Sequence, residues 1–127
     1  MLNLIILVFV GGAVGALLRE YIMLMSPHPA DEFPVDILIA NLVAAFLLGL
    51  VTGLHKRGSV SDGVNTLVGT GVMGGLSTFS SFVYGAFVLM TASRATAGIA
   101  LIYLLVSLVF GYIAVVAGMK LGKQGAT

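Results

Sequence analysis

The 127-residue sequence is 59% hydrophobic and only 9% charged, with a mean hydropathy of +1.14. A soluble domain carries about 25% charged residues, so the chain lacks the polar groups needed to cover a water-facing surface. A net charge of +1 leaves no basic stripe for nucleic acid, and the lack of cysteine excludes disulfides, thiolate catalysis and cysteine-ligated zinc. The length fits one membrane domain over residues 1–127. Met1-Leu2-Asn3-Leu4 runs straight into apolar sequence, with no basic segment and no small-residue cleavage site, so no cleaved leader is expected.

A hydrocarbon core about 30 Å thick is crossed by roughly 20 apolar helical residues. By that measure the chain holds four spans, at residues 2–25, 37–54, 64–90 and 95–121. The first loop, from Ser26 to Pro34, collects all three prolines together with Asp31 and Glu32. Between the second and third spans, His55-Lys56-Arg57-Gly58 stops one helix, and Ser61-Asp62-Gly63 offers an N-cap for the next. Arg94 marks the short turn before the fourth span, and the tail after Lys123 is expected to fray. The apolar runs are continuous rather than alternating, which argues against strands. Lys56, Arg57, Lys120 and Lys123 fall on one side, with Arg94 and Arg19 towards the other, a small bias towards cytoplasmic termini.

Each polar residue within a span needs a reason, because lipid-facing helices can be wholly apolar. In the first span Gly11, Gly15 and Arg19 recur every four residues on one face. The glycines permit close helix approach, and Arg19 then has two readings. It snorkels to the interface or pairs with Glu20, or it is a cation facing an anion vestibule. In the second span Asn41 heads a stripe with Ala45, Gly49 and Gly53, where its amide either bridges helices or donates to a passing anion. The small-residue stripes and the near-balanced charge also fit an antiparallel pair of chains.

The third span carries Gly69, Gly71, Gly74 and Gly75 ahead of Ser77-Thr78-Phe79-Ser80-Ser81-Phe82. Glycine costs about 1 kcal/mol in a helix interior, so the run reads as a broken helix, or else as a glycine-rich packing helix. A break frees carbonyls that bind cations and amides that bind anions, tolerable in a membrane only when buried or lining a cavity. Beyond it, Phe79 and Phe82 share a face, Ser77 and Ser81 an adjoining one, and Ser80 pairs with Tyr84. The rings serve as bulk, or offer electropositive edges that hold a small anion without trapping it. In the fourth span Tyr103, Ser107 and Phe110 fall on one side, either a polar track or ordinary interhelical hydrogen bonding.

No zinc-hydrolase, nucleophile-elbow or phosphate-loop pattern occurs, so no enzymatic chemistry is expected. Glu20 is the only acid expected within a span, with the other acids and both histidines assigned to loops. Proton-coupled transport normally uses an intramembrane acid or histidine.

These residues resemble the Fluc family of fluoride channels, also called CrcB proteins. The likeness lies in Gly11, Gly12, Gly15, Ala16 and Arg19, in Asn41, Leu42 and Phe46, and above all in the run from Gly74 to Phe82. That run is similar to the family's Gly-Gly-x-Thr-Thr-Phe-Ser-Thr-Phe signature, with Ser77 and Ser81 standing where threonine is usual. The resemblance implies an all-α integral membrane protein of four transmembrane helices, the third broken, paired as an antiparallel, dual-topology homodimer. It implies two fluoride pores and a central sodium ion that is not transported, held by backbone carbonyls of Gly74 and Ser77 from both chains. It assigns Phe79, Phe82 and Asn41 to the fluoride path, with Arg19 at the vestibule and Ser80, Ser81, Tyr103 and Ser107 on a polar track. It further implies passive export of fluoride across a bacterial inner membrane. The antiparallel pairing overrides the small charge bias towards one orientation.

Two other classes remain. A small dual-topology multidrug/proton antiporter needs a membrane-embedded carboxylate in the first span, and none lies at mid-depth. A non-transporting membrane subunit leaves the break without a reason.

Overall fold

The computed structural model describes residues 2–25 and 32–124. Pro27, His28, Pro29 and Asp31 of the first loop, and the tail Gly125-Ala126-Thr127, lie outside the described residues. Four helical stretches are long and apolar enough to cross a membrane. They are α1 (Leu2–Met25), α2 (Val35–Lys56), a composite third stretch (Asp62–Ala92) and α6 (Arg94–Lys123). The 24 residues of α1, at a 1.5 Å rise, give about 36 Å, enough for the hydrocarbon core.

The ends follow local chemistry. Pro34 (φ −76°) precedes α2, which places Asp36 in its first turn and His55 and Lys56 in its last; the Asp36 and Lys56 charges suit the helix dipole. Asp36 and His55, expected in loops, are therefore helical. Gly58, with φ of +80°, turns the chain out of α2. Ser61 caps the third stretch by accepting from the Val64 amide. At the last turn Ser93 and Thr96 form a reciprocal capping box, so that α6 begins cleanly at Arg94.

The third stretch is the irregular one. It comprises α3 (Asp62–Asn65), a π-helical segment (Thr66–Val72), α4 (Met73–Leu76) and α5 (Phe79–Ala92), with Ser77 and Thr78 extended between the last two. The break expected near Gly74–Gly75 falls just after them. The π-helical segment before it was not anticipated, since nothing in the residue pattern of Thr66–Val72 separates a five-residue from a four-residue hydrogen-bond step.

Glycine contacts fix the packing. A Cβ on Gly11 would fall on the Leu67 carbonyl, one on Gly15 on the Val72 carbonyl, and one on Gly75 on the Gly12 carbonyl. Thus α1 lies backbone to backbone against the π-helical segment and α4. Gly49 and Gly53 approach α6 in the same way, answered by Gly118 and Gly122 from the other side. The small-residue stripes of the first two spans are consequently used within one chain. These glycines therefore do not by themselves point to a second chain. Where α2 meets α4, Ala40, Ala44, Met73 and Leu76 form a buried cluster. Large apolar side chains such as Phe9 and Leu17 point outward, as lipid-facing surface does.

Candidate functional site

The site begins with the hydrogen bonds that the break removes. Ser77 still donates to the Met73 carbonyl at 3.0 Å, the last bond of α4. Ser77 (φ −75°, ψ 151°) and Thr78 (φ −145°, ψ 114°) then leave the helix, and the carbonyls of the preceding turn lose their usual amide partners. Two side chains from other spans fill part of the gap. The Asn41 Oδ1 accepts from the Thr78 amide at 2.8 Å, while Asn41 Nδ2 donates to the Thr78 carbonyl at 3.3 Å. The side-chain amide therefore clamps Thr78 on both edges, as a neighbouring strand would. The Arg19 Nη1 donates to the Gly75 carbonyl at 3.2 Å. Among the described residues no donor reaches the carbonyls of Gly74 and Ser77.

Thr78 is also the N-cap of α5. Its Oγ1 accepts from the Ser81 amide at 3.2 Å and contacts the hydroxyls of Ser81 (3.1 Å) and Ser80 (3.3 Å). Sequence reasoning passed over this residue. The signal was present, because a threonine three residues ahead of the N3 position of an apolar helix is a capping pattern. The Phe79 and Phe82 rings lie 6.1 Å apart, and Phe82 packs 5.3 Å from Tyr103. Tyr103 in turn meets Phe33 edge-on at 5.3 Å.

These groups border a cleft of about 280 Å³ lined by Asn41, Ser77, Thr78, Phe79, Phe82, Ser107 and Leu108. Its lining contains hydroxyls, an amide and two phenylalanine rings, and no ionisable side chain. The hydroxyls of Tyr103 and Ser107 are buried and have no hydrogen-bond partner among the described residues. An unpaired buried hydroxyl costs about 1–3 kcal/mol, so each favours a ligand that accepts its proton.

The other candidates are distributed around this cleft. Ser81 opens instead onto a second cavity of about 240 Å³, shared with Glu32, Asp36, Tyr84 and Gly85. Through the Thr78 hydroxyl it still touches the first. Because Ser77 is extended, it does not share a helical face with Ser81, which corrects the i, i+4 expectation. Ser80 and Tyr84 lie exposed on α5, and Phe110 is exposed on α6. Gly74 and Ser77 line a third cavity of about 270 Å³ with Ala44, Ala45 and Met73. Arg19 makes no ion pair with Glu20, and its guanidinium is turned to the break. Asp36, only 3% exposed, is a second acid within a helix, which the assignment of acids to loops missed.

Comparison with known proteins accords with this site. A family model described as CrcB-like protein, Camphor Resistance (CrcB), matches residues 6–119. The chain is 58% identical over 126 residues to the fluoride-specific ion channel FluC 1 of Brucella abortus, covering 99% of this chain and 47% of that protein. The chain thus spans about half the length of that relative. It is 55% identical over 122 residues to fluoride-specific ion channel FluC 3 of Yersinia pseudotuberculosis, covering 96% of this chain and 90% of that one. The corresponding Deinococcus radiodurans protein is 40% identical over 116 residues, with 90% of each covered. With a matched model over nearly its whole length and relatives at these identities, the chain belongs to the CrcB family.

Proposed function

We propose that the chain forms a fluoride-selective passive channel that exports fluoride from the cytoplasm across a bacterial inner membrane. The observation that carries this reading is the cleft at the broken third stretch. It gathers an amide, hydroxyls and two phenylalanine rings without an ionisable group, and the relatives are named fluoride-specific channels. A small, strongly hydrated anion needs several donors at close range to replace its water. Ring edges supply further positive potential without a full charge that would hold the ion fast.

In this reading two chains pair antiparallel as a dual-topology homodimer with two pores. A structural sodium ion lies on the shared axis, held by the Gly74 and Ser77 carbonyls of each chain. The donor set suits such an ion: neutral backbone oxygens with no donor among the described residues, beside an apolar cavity. Among the described residues no cluster of histidine, cysteine or carboxylate offers a site for a transition metal. The ion would neutralise carbonyls that cost several kcal/mol each when left unpaired in lipid. A channel of this kind needs no enzymatic group.

The test is anion release from liposomes holding the purified protein, fluoride against chloride, with and without a proton gradient. Fluoride release far above chloride, unaffected by the gradient, is the expected result. Release that requires the gradient would instead favour the antiporter reading, for which the buried Asp36 is the available acid. Replacing Phe79 or Phe82 with isoleucine keeps bulk and removes the ring quadrupole, worth about 0.5–1.5 kcal/mol per ring contact. Flux through either variant is expected to fall about tenfold. Unchanged flux through both would reduce the rings to packing.

A further inference from the structure

Arg19 carries an inference of its own. The contacts of Gly11, Gly15 and Gly75 hold α1 against the π-helical segment and α4 with no slack. One helical turn beyond Gly15, Arg19 projects from the same face and meets the Gly75 carbonyl. In a continuous helix that carbonyl would accept from the Phe79 amide, which the break has carried away. The guanidinium occupies the place of the lost amide. It does so at α4, a segment of only four residues set between the π-helical segment and the extended Ser77–Thr78 pair. Beyond Leu76 no further helical turn holds the end of α4, and an external tie at its last turn settles its direction.

We propose that Arg19 is a positioning residue for the ion path: by capping the Gly75 carbonyl it fixes the end of α4, and hence the direction in which Phe79 and α5 depart. Its positive charge is not itself the element that attracts the ion. The effect on flux rests on the channel reading above; the effect on the shape of the break does not. Two substitutions separate donor from charge. Arg19→Met keeps length and loses both. Arg19→citrulline, introduced by nonsense suppression, keeps length and N–H donors and loses only the charge.

Both are read by amide hydrogen exchange over residues 77–81 and by fluoride release from liposomes at low and high ionic strength. Arg19→Met is expected to raise exchange and lower flux about tenfold, the loss of one charge-assisted hydrogen bond. Arg19→citrulline is expected to keep both within about twofold of wild type at either ionic strength, since only a charge effect is screened by salt. Unaltered exchange in Arg19→Met overturns the proposal. So does citrulline matching methionine in flux while exchange stays at the wild-type level, because the charge then acts on the ion directly. Should the wild-type protein release no fluoride, the exchange difference still decides the role of Arg19, and only the channel reading falls.

Discussion

Asn41→Leu is expected to lower fluoride flux about a hundredfold and to raise amide exchange at Thr78, with the four spans still inserted. Leucine branches at the same carbon as asparagine, though it is bulkier, and can neither accept from the Thr78 amide nor donate to its carbonyl. The amide then loses its partner in a poorly hydrated place, at about 1–3 kcal/mol, and the carbonyl keeps only the long bond from the Phe82 amide at 3.4 Å, a smaller loss. Together the two losses reach the ~2.8 kcal/mol that corresponds to a hundredfold shift in the population of a correctly shaped break. Asn41→Asp separates clamp from donor. Its carboxylate retains an acceptor for the Thr78 amide, so protection there should persist, while a negative charge beside the cleft should still stop an anion. Thr78 exchanging at its wild-type rate in Asn41→Leu would show that the clamp does not hold the break.

The gross architecture was legible because membrane insertion imposes a length on every span. Four apolar runs separated by charged or proline-bearing turns have one economical reading, and all-helical stretches ending within two residues of those runs are what the fold contains. Glycine spacing indicated close contact without naming the partner. Gly11 and Gly15 meet the third stretch, and Gly49 and Gly53 meet α6. A stripe of small residues looks the same from sequence whether a neighbouring helix belongs to its own chain or to another, which is why the stripes alone do not identify a dimer face.

The site was legible in its residue types and less so in its geometry. Asn41, Ser77, Phe79, Phe82 and Ser107 do line one cleft, yet their roles depend on a break whose exact place shifts every later residue around the helix. Continuing the helix through Ser77 put Ser77 and Ser81 on one face, and two extended residues send them to different cavities. Asn41 and Arg19 each had two readings from sequence, a packing or interfacial role and a group facing an ion. Both spend hydrogen bonds on backbone atoms at the break, and Asn41 lines the cleft as well. A freed carbonyl in lipid is costly enough to recruit whichever donor can reach it. That demand becomes visible only when the unpaired backbone groups are located. Thr78 escaped notice for the same reason, since its importance lies in its backbone and in the cap it supplies.

The neighbouring glycines at 74 and 75 should respond in opposite ways, and the contrast tests where a second chain packs. Gly75→Ala places a Cβ on the Gly12 carbonyl and 2.9 Å from the Ala16 amide nitrogen, both backbone atoms of α1. Rigid backbone cannot yield as a side-chain tip can, so overpacking of about 1–3 kcal/mol is the least expected cost. The thermal midpoint of the single chain should therefore fall, and the Arg19 contact should be lost with it. A Cβ added at Gly74 meets nothing within 4 Å in its own chain, and Gly74 is solvent-open on the described surface, which leaves room for the side chain in Gly74→Val. Its helix content and single-chain stability should match wild type, because valine is at least as good a helix former as glycine. Any damage it does must then come from outside the chain. If a second copy brings its own Gly74 and Ser77 carbonyls to a shared ion, two valine side chains would stand between the two sets of oxygens. Single-molecule photobleaching at low protein density should then count one chain per spot instead of two, and fluoride release should fall at least about a hundredfold, a loss of ~2.8 kcal/mol. Dimers that persist with wild-type flux would place the partner elsewhere and leave the open carbonyls without the proposed ion.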